Sequence, residues 1–469
     1  MAKIGCRALV LALLLAGGAA QPLGAQRTSL PDPTTDPLRM DISTDPVLQL
    51  ARRQAPPEEF RTAIAAAVAR HPGTAEYSAM TDEARALRSE ARERLLPSLD
   101  LNVSSYRVIT REFSNDPTNV IERSRPVQRT DALLSVQQNV FDFGAGERRV
   151  SAAGARLRAA MHEAEAGADR IALGAVASWY DVFAARALVT VTEGFVRNQQ
   201  ELRDAVAERI RQGVSAPGDT ARVESYIASA QTRLARFRRV LSNAEARFAE
   251  LAGSPPPAQL ERAPVAELPA MTKDAAAHAG MNTPAARAGA AMAESARQEA
   301  RALRADRWPQ ISAGIDAGRY GVFETDRDYD VRGRVTLRQR LFGGLDARVS
   351  QGDARVRQAE ARADRIREEA ARDASIAWSD VQALEEQLKA LEASYIASRR
   401  SRDVLLERFI HSRGDLFDVV AAEDAYFETA TAYIQALSEL DAARYVLLSR
   451  TGGLLAALGI DAPASGGKK

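Results

Sequence analysis

The stretch RLLPSLDLNVSSY, Arg94 to Tyr106, changes its repeat pattern within a few residues. For about forty residues before it, Ala, Arg and Glu dominate and the spacing of apolar positions is helical. At Pro97 that pattern stops. Leu99, Leu101 and Val103 then alternate with Asp100, Asn102 and Ser104, the two-residue period of a strand with one apolar face. A helical chain that breaks into a strand at a proline raises the question of whether it does so again.

It does. RRVSAAGARLRAA (148–160) aligns with ARVSQGDARVRQA (347–359), an offset of 199 residues that also carries WYDV (179–182) onto WSDV (378–381). Arg209 falls on Arg408, Asp219 on Asp418 and Glu224 on Glu423. Upstream the offset is 212, so that Pro72 matches Pro284 and Pro97 matches Pro309. The chain is therefore a duplication, and repeat 1 carries an insertion between its proline and its long helix.

Each repeat reads helix, strand, loop, strand, very long helix, tight turn, helix. Repeat 1 spans 58–256, with strands at about 98–109 and 130–141, a long helix at 147–212 and a helix at 219–252. A linker at 257–271 leads to repeat 2 at 272–460. Its strands are expected at about 310–320 and 331–342, its long helix at 346–411 and its last helix at 418–458. In the long helices Val150, Leu157, Ala164, Ile171, Ser178 and Ala185 recur every seventh residue, as do Val349, Val356, Ala363, Ala370 and Ala377. That is a coiled-coil seam of mostly small side chains, and each helix is on the order of 100 Å long.

Such a seam also suits a soluble periplasmic coiled-coil scaffold, and the strands could be hairpins capping it. The alternation argues otherwise. In VRGRVTLRQRLF (331–342), Val331, Val335, Leu337 and Leu341 take one face while Arg332, Arg334, Arg338 and Arg340 take the other. Four segments of ten to twelve residues with aromatics near their ends (Tyr106, Phe141, Trp308, Tyr320, Phe342) fit membrane strands, apolar to lipid and polar to a lumen. Four strands cannot close a barrel, and open edges are not tolerated in lipid, so several chains must share one.

The rest of the composition is consistent with export. Residues 1–25 (MAKIGCRALVLALLLAGGAAQPLGA) read as a signal peptide, with cleavage after Ala20 or Ala25. The single cysteine, Cys6, lies inside it, which removes disulfides, thiolate metal sites and cysteine catalysis from the mature chain. No later stretch reads as a membrane-spanning helix. Lys+Arg is 63 against Asp+Glu 62, so no polyanionic partner such as nucleic acid is indicated. The segment 26–57 and the tail 461–469 carry no motif that assigns them a role.

No enzyme chemistry is legible. FGAGERR (143–149) has two of the three glycines of a dinucleotide fingerprint, with Arg149 in place of the third and no βαβ unit around it. It reads as a strand-to-helix junction. His71, His162, His278 and His411 lack metal-ligand spacing, so neither metal nor cofactor is expected. Arg413-Gly414-Asp415 spells an adhesion tripeptide by coincidence.

With its duplication, its LLPSLDL and RWPQISA helix-to-strand junctions, its NVFDFGAG and RLFGGLDAR exits and its turns RIRQGVSAPGDTARVES and RFIHSRGDLFDVVAAEDAYFETATAYIQAL, the chain resembles the TolC family of outer-membrane export ducts. The resemblance implies a homotrimer with a twelve-stranded barrel in outer-membrane lipid and an α-helical periplasmic tunnel. It also implies a periplasmic adaptor and an inner-membrane pump, ABC or proton-driven, as partners. The stretch from Leu416 to Ile460 is most similar to members serving type I protein secretion, ahead of small-molecule efflux.

The same resemblance places function at the helix turns. Asp418, with Asp415 beside it, would ring the closed periplasmic end, and Arg209, Gly213, Asp219, Arg408, Ser412 and Gly414 would lie where an adaptor docks. Arg332, Arg334, Arg338 and Arg340 would face the barrel lumen. Asp219 and Asp418 also suit simple helix capping. A second aspartate of the family is Ala421 here, and a latching tyrosine and arginine correspond to Phe409 and Gly414, so the closed end must be latched differently.

Overall fold

The computed structural model describes residues 30–34, 41–113, 117–118, 120–325, 328–411 and 413–461. The expected signal peptide, Ser412 and nearly all of the tail lie outside them. The helices are α1 (Pro46–Gln49), α2 (Pro57–Arg70), α3 (Pro72–Glu93), α4 (Val120–Arg123), α5 (Ala145–Arg211), α6 (Gly218–Ala252), α7 (Lys273–Gly280), α8 (Pro284–Ala305), α9 (Leu345–Ile410), α10 (Leu416–Arg450) and α11 (Leu454–Leu458). The strands are β1 (Ser98–Arg107), β2 (Gln128–Phe141), β3 (Gln310–Arg319) and β4 (Tyr329–Arg338).

The two long helices start and stop for the same reasons. Each follows a left-handed glycine, Gly144 or Gly344, with an acidic residue (Glu147, Asp346) in its first turn and an arginine in its last. These charges oppose the partial charges of the helix ends. α5 packs on α3, α6, α8 and α10, while α9 packs on α7, α8 and α10. Ala153, Leu157, Ala164, Ala168, Ala175, Val182 and Ala185 are buried along α5, as are Val349, Gly352, Ala363, Ala374, Ala377 and Val381 along α9. Small side chains let the backbones approach, which is why so few aromatics suffice. By length and composition α5 does contain a stretch apolar enough to cross a membrane, contrary to expectation, but most of it is buried inside the chain.

Three expected continuous helices are broken. In each repeat the helix ahead of the strands is interrupted at a proline: α2 ends before Pro72, and α7 before Pro284. Proline lacks the N–H needed to continue the ladder and restricts the residue before it. The helix expected over 418–458 stops at Arg450. Gly452 takes φ +77°, a conformation that β-carbon-bearing residues avoid, and Gly453 N–H closes on the Leu448 carbonyl at 2.7 Å. The chain then turns so that α11 buries Leu454 and Leu458 in the main core.

That core lies where the short elements surround the middle of α5. Phe60 meets Trp179 edge-on at 5.3 Å, and Trp179 Nε1 donates to the Glu261 carbonyl at 2.9 Å. The segment between the repeats is laid along this core. Arg262 forms a bidentate pair with buried Asp441 at 2.5 and 2.7 Å and bridges Gln54 in parallel fashion. The N-terminal segment is packed as well. Leu30 is buried, and Asp45 caps α1 while accepting from Tyr395 Oη at 2.9 Å and Arg399 Nη1 at 2.5 Å. Arg402 Nη2 donates to the Pro31 carbonyl at 3.1 Å. Burial lifts the carboxyls of Asp403 and Glu423 above their ordinary range, against the pull of Arg402 between them.

The strands form one antiparallel sheet in the order β1-β2-β3-β4. Leu99 lies opposite Val136, which lies opposite Ile315; Leu101, Leu134, Ala317 and Val331 form a second row. The apolar positions of both repeats thus share one face, and that face is exposed. β4 ends at Arg338 rather than running to 342, because its partner β3 begins at Gln310, just after Pro309. Arg340, Leu341 and Phe342 therefore leave the ladder. β1 and β4 each have a neighbour on one side only.

Candidate functional site at the helix turns

At the far end of the long helices from the sheet, two turns meet. Leu202, Val206, Val223, Phe409, Leu416, Val419 and Val420 form a separate small core that brings the α5–α6 turn against the α9–α10 turn. The sequence placed these turns at matched positions in the duplication; the structure adds that they are tied to each other.

Arg209 makes the tie. It is 8% exposed, its guanidinium lies 4.2 Å from the centroid of the Phe409 ring, and Nη1 donates to the Phe409 carbonyl. Its Nε donates to Ser215 Oγ at 3.1 Å, which also secures its own turn. Phe409 sits in the last turn of α9, where carbonyls lack helical partners and a cation is favoured. A second arginine repeats the arrangement: Arg222 of α6 lies 4.2 Å from the centroid of Phe417 in the first turn of α10. Phe417 is itself half exposed.

The aspartates separate into different roles. Asp219 accepts from Ala216 N–H at 3.3 Å and lies 3.6 Å from Arg222, so it organises its turn. Asp415 is the cap of α10, accepting from Phe417 N–H at 3.3 Å. Asp418, one turn in, is exposed and its carboxylate has no hydrogen bond or ion pair among the described residues. Gly213 takes φ +76°, which lets the chain reverse after α5. Gly414 packs against the Phe409 backbone, where a β-carbon would lie 3.1 Å from its nitrogen. Arg408 is exposed at the end of α9, and Ser412 lies outside the described residues.

The other expected group is on the sheet. Arg332 pairs with Asp330, and Arg334 lies 3.4 Å from Asp316. Arg338 is on the same polar face without an ion pair among the described residues, whereas Arg340 lies beyond the strand. Arg222 and Phe417 were not legible in the sequence as site residues. They lie within three residues of Asp219 and Asp415, but their contact crosses between repeats, and no local spacing signals it.

Comparison with known proteins bears on the fold that carries these turns. Residues 63–254 match the family described as Outer membrane efflux protein. No curated protein sequence matches the chain. Among solved structures, the chain is similar to VceC, an outer membrane protein of Vibrio cholerae, at TM-score 0.74 and 18% identity over 84% of this chain and 96% of that one. It is similar to CusC at TM-score 0.73 and 18% identity, over 86% of this chain and 92% of that one. The MtrE outer membrane channel of Neisseria gonorrhoeae, in its open state, gives 0.69 and 18%, over 84% and 89%. At these identities the structures establish the fold. Together with the match over the first repeat, they support the outer membrane efflux protein family, the TolC-like class that the repeats resemble.

Proposed function

We propose that three copies of this chain form an outer-membrane channel-tunnel that carries substrate from an inner-membrane pump across the periplasm. In this reading the chain is an outer-membrane protein with a periplasmic helical tunnel and acts as a transport channel, which the family match over residues 63–254 and the similar solved structures support. The observation that supports the shared channel is the sheet: one exposed apolar face and two open edges, standing on helices of 67 and 66 residues. Exposed backbone edges in hydrocarbon are too costly to persist, so β1 and β4 need partners from other chains. Three chains of four strands give the twelve that the resemblance implies.

In this reading the paired turns form the periplasmic end, closed by Arg209 and Arg222 on the two phenylalanines and ringed by Asp418. A periplasmic adaptor docks on the exposed tip residues, Arg408 and Gly213 among them. For the cargo, the match of residues 63–254 to a family described as efflux proteins favours a small molecule. Type I protein secretion is the second reading; it rests on the resemblance carried by the stretch from Leu416 to Ile460.

Cell fractionation tests the first step. Recovery in outer-membrane fractions that need detergent for release supports the duct, whereas release with the soluble periplasmic fraction would leave a coiled-coil scaffold in its place. Deleting the gene and comparing culture supernatant proteins with drug and metal tolerance separates the cargo readings. Lowered tolerance with unchanged secreted proteins supports efflux, and loss of one large secreted protein with unchanged tolerance supports type I secretion.

A further inference from the structure

The two open edges of the sheet carry complementary charges. On the polar face, Arg129 pairs with Asp131, Arg332 with Asp330 and Arg334 with Asp316. Asp100 on β1 and Arg338 on β4 have no ion pair among the described residues. Within the chain Asp100 lies opposite Ser135 and Arg338 opposite Gln310, so neither has a counter-charge on its inner side. Their outer sides are the unpaired edges.

The duplication supplies the register in which those edges would meet. β2 and β3, the adjoining strands of the two repeats, pair with Val136 opposite Ile315 and Asn139 opposite Ser312. The next junction in a ring of repeats joins β4 to the β1 of another chain. An offset of 199 carries β2 onto β4, held by Asp131 with Asp330, Val136 with Val335 and Phe143 with Phe342. An offset of 212 carries β1 onto β3, held by Pro97 with Pro309. Carrying the β2–β3 pairs across puts Val335 opposite Val103 and Arg338 opposite Asp100. Both valines lie on the exposed apolar face and both charges on the polar face, as they must, since a slip of one residue would invert the faces.

We propose that β4 of each protomer pairs with β1 of the next in this register, with an Arg338–Asp100 ion pair across every seam on the lumen side. This rests on the reading of three chains sharing one barrel and adds how they join. Directly opposed strand residues of opposite charge attract, so this register gains one ion pair at every seam.

Cysteine pairing tests the register. Opposed Cα atoms in antiparallel strands are about 4.5–5.5 Å apart, within disulfide reach. On a Cys6→Ser background, the Val103→Cys/Val335→Cys variant should run as a covalent trimer on oxidation, and each single variant as a monomer. Val103→Cys/Leu337→Cys and Leu101→Cys/Val335→Cys, which match seams slipped by two residues, should not link. Linkage by a slipped variant instead, or by none while light scattering in detergent shows a trimer, would overturn the register. A detergent-solubilised mass of one chain would reject the shared barrel itself. Asp100→Arg and Arg338→Asp should each lower the temperature at which the detergent-solubilised trimer dissociates, and the double exchange should restore it. Trimers unaffected by either single change would remove the ion pair.

Discussion

The guanidinium of Arg209, in the last turn of one long helix, covers the ring of Phe409 in the last turn of the other at 4.2 Å and donates to its carbonyl. One side chain thus joins the tips of both helical hairpins. The resemblance leaves the latch of the closed end unexplained, because Phe409 and Gly414 stand where tyrosine and arginine were expected. In this chain the arginine that covers Phe409 comes from the opposite turn.

Arg209→Ala should therefore loosen the contact between the two tips. A mostly buried cation–π contact and a charge-assisted hydrogen bond are together worth about 1–3 kcal/mol. In planar bilayers the variant should show higher single-channel conductance or more frequent opening than the unmodified protein. Arg209→Lys should fall between them, since an ammonium cannot make the forked contact. Identical recordings from all three proteins would mean that the tie has no part in gating.

Asp418 and Asp415 should behave differently although they are three residues apart. Asp418→Asn removes an exposed carboxylate that has no hydrogen bond among the described residues, so block by divalent cations should weaken with little change in melting temperature. Asp415→Ala removes a helix cap and should cost about 1 kcal/mol of local stability. Divalent block that is unchanged in Asp418→Asn would reduce that residue to a charge at a helix start.

The buried Asp45 holds the N-terminal segment against α9 through Tyr395 and Arg399. Asp45→Ala leaves Arg399 buried without this carboxylate, and removing one partner of a buried pair costs about 3–5 kcal/mol. Limited proteolysis should then cut near α1 well before the long helices are attacked. Equal protease resistance in the variant and the unmodified protein would show that the segment is held by its apolar residues alone.

Asp169 offers a pH test. Burial pushes its carboxyl up to about 6, although Ser449 Oγ donates to it at 2.5 Å. The folded state therefore holds this proton across the window from the ordinary carboxylate value to about 6, and the residue's contribution to stability falls as pH rises through that window. Above it the charged form costs on the order of 2–3 kcal/mol. Asp169→Asn should thus melt higher than the unmodified protein at pH 7.5. The difference should shrink as pH falls through 6 toward 4; a gap that is constant with pH would assign the effect to packing.

Much of this protein is legible along the chain because its signals are periodic and local. Pro97 and Pro309 stand where helix gives way to strand, because proline lacks the N–H that a continuing helix needs. The alternation after each proline assigns one face to apolar residues, and the seven-residue recurrence of small side chains sets two helices of nearly equal length. Duplication then pairs Arg209 with Arg408 and Asp219 with Asp418 by position alone. What position cannot give is contact between repeats. Arg209 and Arg408 match in sequence, yet one is buried on Phe409 and the other is exposed, because the two turns pack asymmetrically around a single small core. The docking of Asp45 onto Tyr395 and Arg399 likewise joins residues some 350 positions apart. The burial of α5's apolar stretch against neighbouring helices depends on the same long-range packing. Periodicity specifies which side of an element seeks cover, and only the assembled fold specifies what covers it.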